Sequence, residues 1–93
     1  MSEPTRRIRI HPSTLHRELD SETVLLQLDT GEYFGLDPMA TRMWQLMVEH
    51  GSVADVADAV ADEFDVEPVV AAADVTRLVE ELVAGRLIEV ETI

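Results

Sequence analysis

Ten residues, Asp29-Thr30-Gly31-Glu32-Tyr33-Phe34-Gly35-Leu36-Asp37-Pro38, leave this chain few choices. Gly31 can take the positive φ that a hairpin turn needs. Tyr33 to Leu36 reads as a short aromatic strand. Asp37 is a good helix N-cap and Pro38 a good first helical residue, so that strand ends abruptly in a helix. A strand that runs straight into a cap leaves little room for another strand beside it. The stretch therefore predicts an open sheet edge, and an open edge is a docking site for an extended peptide.

The residues before the turn supply the rest of a sheet. Residues 1–13 read as a polar arm, with Ile8 and Ile10 able to add a little extended structure. Leu15 to Leu19 is a plausible first strand, Asp20-Ser21-Glu22 a turn, and Thr23 to Leu28 a clear strand. In that strand Val24, Leu26 and Leu28 alternate with Gln27 and Asp29, which puts the apolar set on the core face. Leu25 falls on the other face and fits less well. The same alternation points Phe34 and Leu36 inward and Tyr33 and Gly35 outward.

Everything after Pro38 is helical in pattern. Met39, Met43, Trp44, Leu46, Met47 and Val48 recur at helical spacing until Gly51. Ser52 caps a second helix, with Asp55 three residues on. Its apolar stripe includes Val53, Val56, Val60 and Phe64. Pro68 suits the first turn of a third helix, lined by Ala71, Val75, Leu78, Val79 and Leu82 and stopped by Gly85. Leu87 to Val90 is a short extended tail. The fold class is α+β: a three-stranded antiparallel sheet followed by three helices, β-β-β-α-α-α, resembling a winged helix-turn-helix. The expected division is an N-terminal arm over 1–13 and one domain over 14–91.

Composition narrows the function. A chain of 93 residues makes one small domain. It has no cysteine, which removes disulfides, thiolate zinc sites and cysteine catalysis together. Neither a transmembrane run nor a signal peptide is visible, so a cytoplasmic location is expected. The net charge is −12, and every basic residue is arginine. Residues 1–19 are net +2, whereas residues 55–91 carry eleven acids against Arg77 and Arg86. Such a field repels nucleic acid and membrane surfaces and attracts basic partners. Residues 67–86, where a winged-helix protein would carry its recognition helix, are net −2. A winged-helix regulator that binds DNA is the alternative class, and its charge argues against it.

Little in the chain looks catalytic. His11, His16 and His50 lack metal-site spacing, and His50 fits a helix C-terminus on electrostatic grounds. Asp55, Asp58 and Asp62 lie on one helix face and read as a solvated surface, because metal sites draw oxygens from several elements. No phosphate loop or nucleophile elbow is present. No catalytic residue, metal or cofactor is expected, and the chain is not read as an enzyme.

The strand Val24-Leu25-Leu26-Gln27-Leu28-Asp29, the turn and strand Gly31 to Leu36, the start Asp37-Pro38-Met39-Ala40-Thr41 and Trp44 together resemble the PqqD-like family, also called RiPP recognition elements. Ser52-Val53 with Val56-Ala57, Phe64-Asp65-Val66, Asp74-Val75 and Gly85-Arg86-Leu87-Ile88 continue the likeness over residues 12–90. The family usually has Leu-Asn followed by Thr-Gly-Ala at the strand-to-helix junction; here Asp37 takes the Asn position. The Trp44 helix and the Ala71 to Val75 run look most like the stand-alone members from lasso-peptide pathways.

The resemblance implies binding of the leader segment of a ribosomally made precursor, with presentation to a separate leader peptidase and possibly a cyclase. In the pyrroloquinoline-quinone branch the partner would instead be a radical maturase. It also implies a binding site: the leader adds as a strand to Glu32, Tyr33, Phe34, Gly35 and Leu36. It packs against a groove wall of Asp74, Arg77, Leu78 and Glu81. Pairing groups alternate along an edge, so only every second residue of that strand can serve. The sequence leaves open which set does.

Overall fold

The computed structural model describes residues 5–92. Its elements are β1 (Arg6–Ile10), β2 (Thr14–Leu19), β3 (Glu22–Gln27), β4 (Glu32–Leu36), α1 (Pro38–His50), α2 (Val53–Phe64), α3 (Pro68–Ala84) and β5 (Ile88–Thr92). The predicted α+β architecture is present, with β2, β3 and β4 as an antiparallel meander in that order. A second, two-stranded sheet pairs β1 with β5.

Local chemistry explains the boundaries. Asp20 turns β2 into β3 at φ 57°, a conformation that aspartate tolerates better than most residues. Gly31 turns β3 into β4 at φ 75°. The Asp37 carboxylate accepts the Ala40 N–H at 2.8 Å and starts α1, and Gly51 closes it in the left-handed region. Ser52 caps α2 with a longer contact, 3.5 Å from Asp55 N. Across the helix pair, Arg42 donates through Nε and Nη2 to Glu63, both at 2.7 Å. Those hydrogen bonds hold the Glu63 carboxyl below its ordinary range.

The core lies between the inner face of the meander, the three helices and the β1–β5 ribbon. Trp44, Met43, Leu46 and Met47 from α1 are buried, as are Val56 and Val60 from α2 and Val75, Val79 and Leu82 from α3. Of the methionines that recur at helical spacing along α1, Met43 and Met47 are inside, while Met39 stays exposed at the start of the helix. Val48 and Phe64, counted in the apolar stripes by spacing, are also exposed.

Two expectations change. The arm expected over residues 1–13 supplies a paired strand from residue 6, and Ile8 enters the core. Ile8 N–H also donates to Gly51 O at 2.8 Å, which fastens the ribbon to the α1–α2 turn. In the ribbon Arg7 stands opposite Glu91 and Arg9 opposite Glu89. The basic N-terminal and acidic C-terminal segments thus meet one another, as opposite charges on adjacent strands favour.

The second change concerns β3, whose facing is the reverse of the hydrophobic reading. Thr23, Leu25 and Gln27 point into the core, and Val24 and Leu26 point away from the helices. Gln27 tolerates complete burial because both ends of its amide are satisfied. Its Nε2 donates to Arg86 O at 2.7 Å, and its Oε1 accepts the Asp29 N–H at 2.6 Å. Strand side chains alternate, so fixing Gln27 inside carries Val24 and Leu26 to the opposite face.

Candidate functional site

The β4 edge is open. Among the described residues β4 pairs with β3 alone, and the N-terminal segment that could have covered it is paired with β5 instead. Backbone groups along a strand alternate between its two sides, and two hydrogen bonds set the phase here. Leu28 N–H donates to Ser13 O on the β2 side of β3, whereas Gln27 O accepts the Gly31 N–H on the β4 side. Gln27, Leu25 and Thr23 therefore turn toward β4, where their register partners are Glu32, Phe34 and Leu36. That commits the groups of these three residues to the sheet. Tyr33 and Gly35 aim their N–H and C=O groups at the free edge.

Side chains divide the same five residues differently. Leu36 is buried and Phe34 half-buried on the helix side, while Tyr33 is 72% exposed on the outer face. The Phe34 ring reaches across to the end of α3 and lies directly on Gly85. A Cβ at position 85 would stand 2.6 Å from the ring's Cζ, so this glycine is required by close approach. No other residue leaves the ring that place.

Two depressions run along α3, the first against the start of α1 and the second against β4. The first, of about 270 Å³, has Asp74, Arg77, Leu78 and Glu81 on the α3 side and Asp37, Met39 and Met43 on the other. The second, of about 410 Å³, is floored by Phe34 and Gly85 and rimmed by Glu32, Glu81 and Arg86. Glu81 lines both. The four groove-wall residues expected from sequence are thus brought together in the first depression, and Glu32 and Phe34 join Glu81 in the second. Tyr33 lies apart, on the outer face of the sheet. Leu78 is 7% exposed and forms floor more than wall.

Charge in the groove is mostly negative. Asp37, Asp74, Glu81 and Glu32 face it, against Arg77 and Arg86. Arg77 Nη2 contacts Asp74 at 3.2 Å on the exposed surface, one turn apart on α3. Sequence reasoning missed Met39, Met43 and Gly85 as groove residues. The helical spacing of the methionines was visible but pointed to the core, and Gly85 looked like a plain helix stop.

The groove can hold an extended chain by backbone pairing on one side and side-chain anchors on the other. No group of three or more His, Cys, Asp or Glu residues placed to hold a metal ion occurs among the described residues. Nor is any described helix long and apolar enough to cross a membrane.

Known proteins give this geometry a context. No curated protein matches the sequence. Two solved structures do. TbiB1 in complex with the TbiA(beta) leader peptide is 32% identical, with a TM-score of 0.82 over 87% of this chain and 94% of that one. Lasso peptide synthetase B1 complexed with the leader peptide is 30% identical, with a TM-score of 0.79 over 89% of this chain and 98% of that one. The family described as coenzyme PQQ synthesis protein D matches residues 22–88, most of the fold from β3 to the start of β5. The chain belongs to the PqqD family.

Proposed function

We propose that this protein binds the leader segment of a ribosomally made precursor peptide and presents it to separate maturation enzymes, a leader peptidase and a cyclase, in lasso-peptide biosynthesis. The leader adds as a fourth strand to the meander, along β4. The observation that carries this reading is the open β4 edge beside the α3 groove, in a chain whose structural relatives are complexes with leader peptides.

Tyr33 and Gly35 offer the incoming strand two N–H and two C=O groups. At about 1 kcal/mol net for each hydrogen bond, these roughly offset the 2–5 kcal/mol cost of ordering a disordered segment. Selectivity and net affinity then come from side chains. Alternate leader residues enter the groove, where Leu78, Phe34 and the two methionines supply apolar surface. Asp74, Glu81 and Glu32 favour basic neighbours and speed encounter.

The test is fluorescence anisotropy with a labelled leader and with copies N-methylated at one backbone position each. Methylation should weaken binding at every second position of the paired stretch, where the lost N–H faced β4. Uniform tolerance of methylation would remove strand addition.

A further inference from the structure

Gln27 is fully buried, and among the described residues only the shorter Thr23 and Thr41 join it as polar side chains in the core. Burial alone does not call for a glutamine there. An apolar side chain of similar size would fill the space without needing partners. An amide adds a fixed geometry, because its donor and its acceptor must both be met.

Those partners lie on two separate parts of the chain. Gln27 Oε1 accepts the Asp29 N–H at 2.6 Å, and the Gln27 carbonyl accepts the Gly31 N–H at 2.8 Å, so one residue ties the β3–β4 turn. Its Nε2 reaches across to Arg86 O at 2.7 Å, just past the end of α3. No other hydrogen bond among the described residues joins the β3–β4 hairpin to α3 or to the turn after it.

The same two parts form the banks of the second depression. Thr30 and Glu32 stand on the hairpin side, Glu81, Gly85 and Arg86 on the helix side, and the Phe34 ring lies between them. The backbone of the helix bank is bent to match. Arg86 takes the left-handed conformation at φ 61°, while Gly85 before it, at φ −82°, does not. A helix end ordinarily gives that conformation to glycine. Here glycine stands where Phe34 needs room, and arginine takes the strained position with its carbonyl held by Gln27.

We infer that Gln27 is a positioning residue for the leader site: its amide fixes the distance between the β3–β4 hairpin and the end of α3, and with it the width of the depression beside Phe34 that admits a leader side chain. The inference rests on the leader-binding reading and adds a determinant of selectivity buried out of the leader's reach. Gln27 acts through Phe34, Glu32 and Arg86, which it holds in place.

The experiment compares the unmodified chain with Gln27→Leu, and with Gln27→Met if the leucine variant does not fold. Urea denaturation measures stability. Anisotropy measures a labelled leader and a set of copies, each with one residue changed to alanine. The whole leader should bind the variant at least about ten-fold more weakly. At the leader position that fills the depression, the cost of alanine should shrink to about two-fold or less, while the other anchors keep theirs. A merely structural loss would weaken every copy alike. Unchanged leader affinity in the folded variant, or an equal loss at every leader position, would overturn the inference. Amide exchange tests the brace without any leader. The Asp29 N–H lies on an exposed turn, yet it should exchange slowly in the unmodified chain and fast in the variant. Free exchange at Asp29 in the unmodified chain would also overturn the inference, whether or not either variant folds. If Asp29 is protected and the unmodified chain nevertheless binds no leader, the reading of β4 fails and the role assigned to Gln27 fails with it.

Discussion

The two sheets of this small protein treat their apolar side chains in opposite ways. In the β1–β5 ribbon Ile8 and Ile88 are buried and arginines of one strand stand opposite glutamates of the other. The β2–β3–β4 meander keeps an unpaired edge at β4 and an apolar outer face. A ribbon that buries its isoleucines and sets its arginines against its glutamates serves stability. A sheet that leaves groups unmatched serves a partner, at the risk of unwanted pairing that exposed edges bring. The contrast separates residues whose loss should unfold the protein from residues whose loss should only disarm it.

The largest expected effect is on the ribbon side. Ile8→Ala removes a core contact and should cost about 2–5 kcal/mol of stability, read by urea denaturation. Molecules that remain folded should bind leader as before. A fall in leader affinity without a fall in stability would erase the distinction between the two sheets.

Gly35→Pro makes the complementary change. Its N–H faces the free edge, so the meander loses no internal hydrogen bond. Leader affinity should fall roughly 10–100-fold, the effect of about 1–3 kcal/mol, with little change in Tm. Collapse of the fold would show that Gly35 bonds β3 and that the outward set is Phe34 and its alternates.

A smaller effect is expected at the groove floor. Gly85→Ala drives a methyl group into the Phe34 ring and should cost about 1–3 kcal/mol of stability and displace the ring from the groove. Adding Phe34→Leu should recover part of both stability and leader binding. Failure of that second change to help would place the ring's role elsewhere.

The smallest concerns an unused polar group on the inner face. Thr23 Oγ1 is buried without a hydrogen-bond partner, a defect not seen in the ribbon among the described residues. Thr23→Val should raise stability by about 1 kcal/mol, measured by thermal melting, and leave binding untouched. A loss of stability would reveal a partner for that hydroxyl.

The line between what could be read and what could not follows the range of the interactions. Asp37 caps a helix through an N–H three residues away, and Gly31 turns a hairpin within five, so the helix start and the β4 hairpin were legible. Spacing sets Asp74, Leu78 and Glu81 on one side of α3, but their place in a groove wall follows only from the resemblance to the family, because the opposite side of the groove comes from other elements. The facing of β3 was not legible. Hydrophobicity ranks Gln27 as an outward residue, and only its acceptor at Arg86, 59 positions along the chain, makes burial affordable. Val24 and Leu26, core residues by hydrophobic alternation, form the outer face.

By itself, then, the amino-acid order determined the elements, their caps, the abrupt passage from β4 into α1 and the acidic character of α3, because each depends on neighbours within a few positions. Tertiary structure alone decided that the N-terminal segment pairs with β5 and leaves β4 free, that Tyr33 and Gly35 carry the outward groups, and that the sheet shows its apolar side to solvent. Those outcomes depend on hydrogen bonds and charge pairs between residues distant in sequence, which no local pattern records.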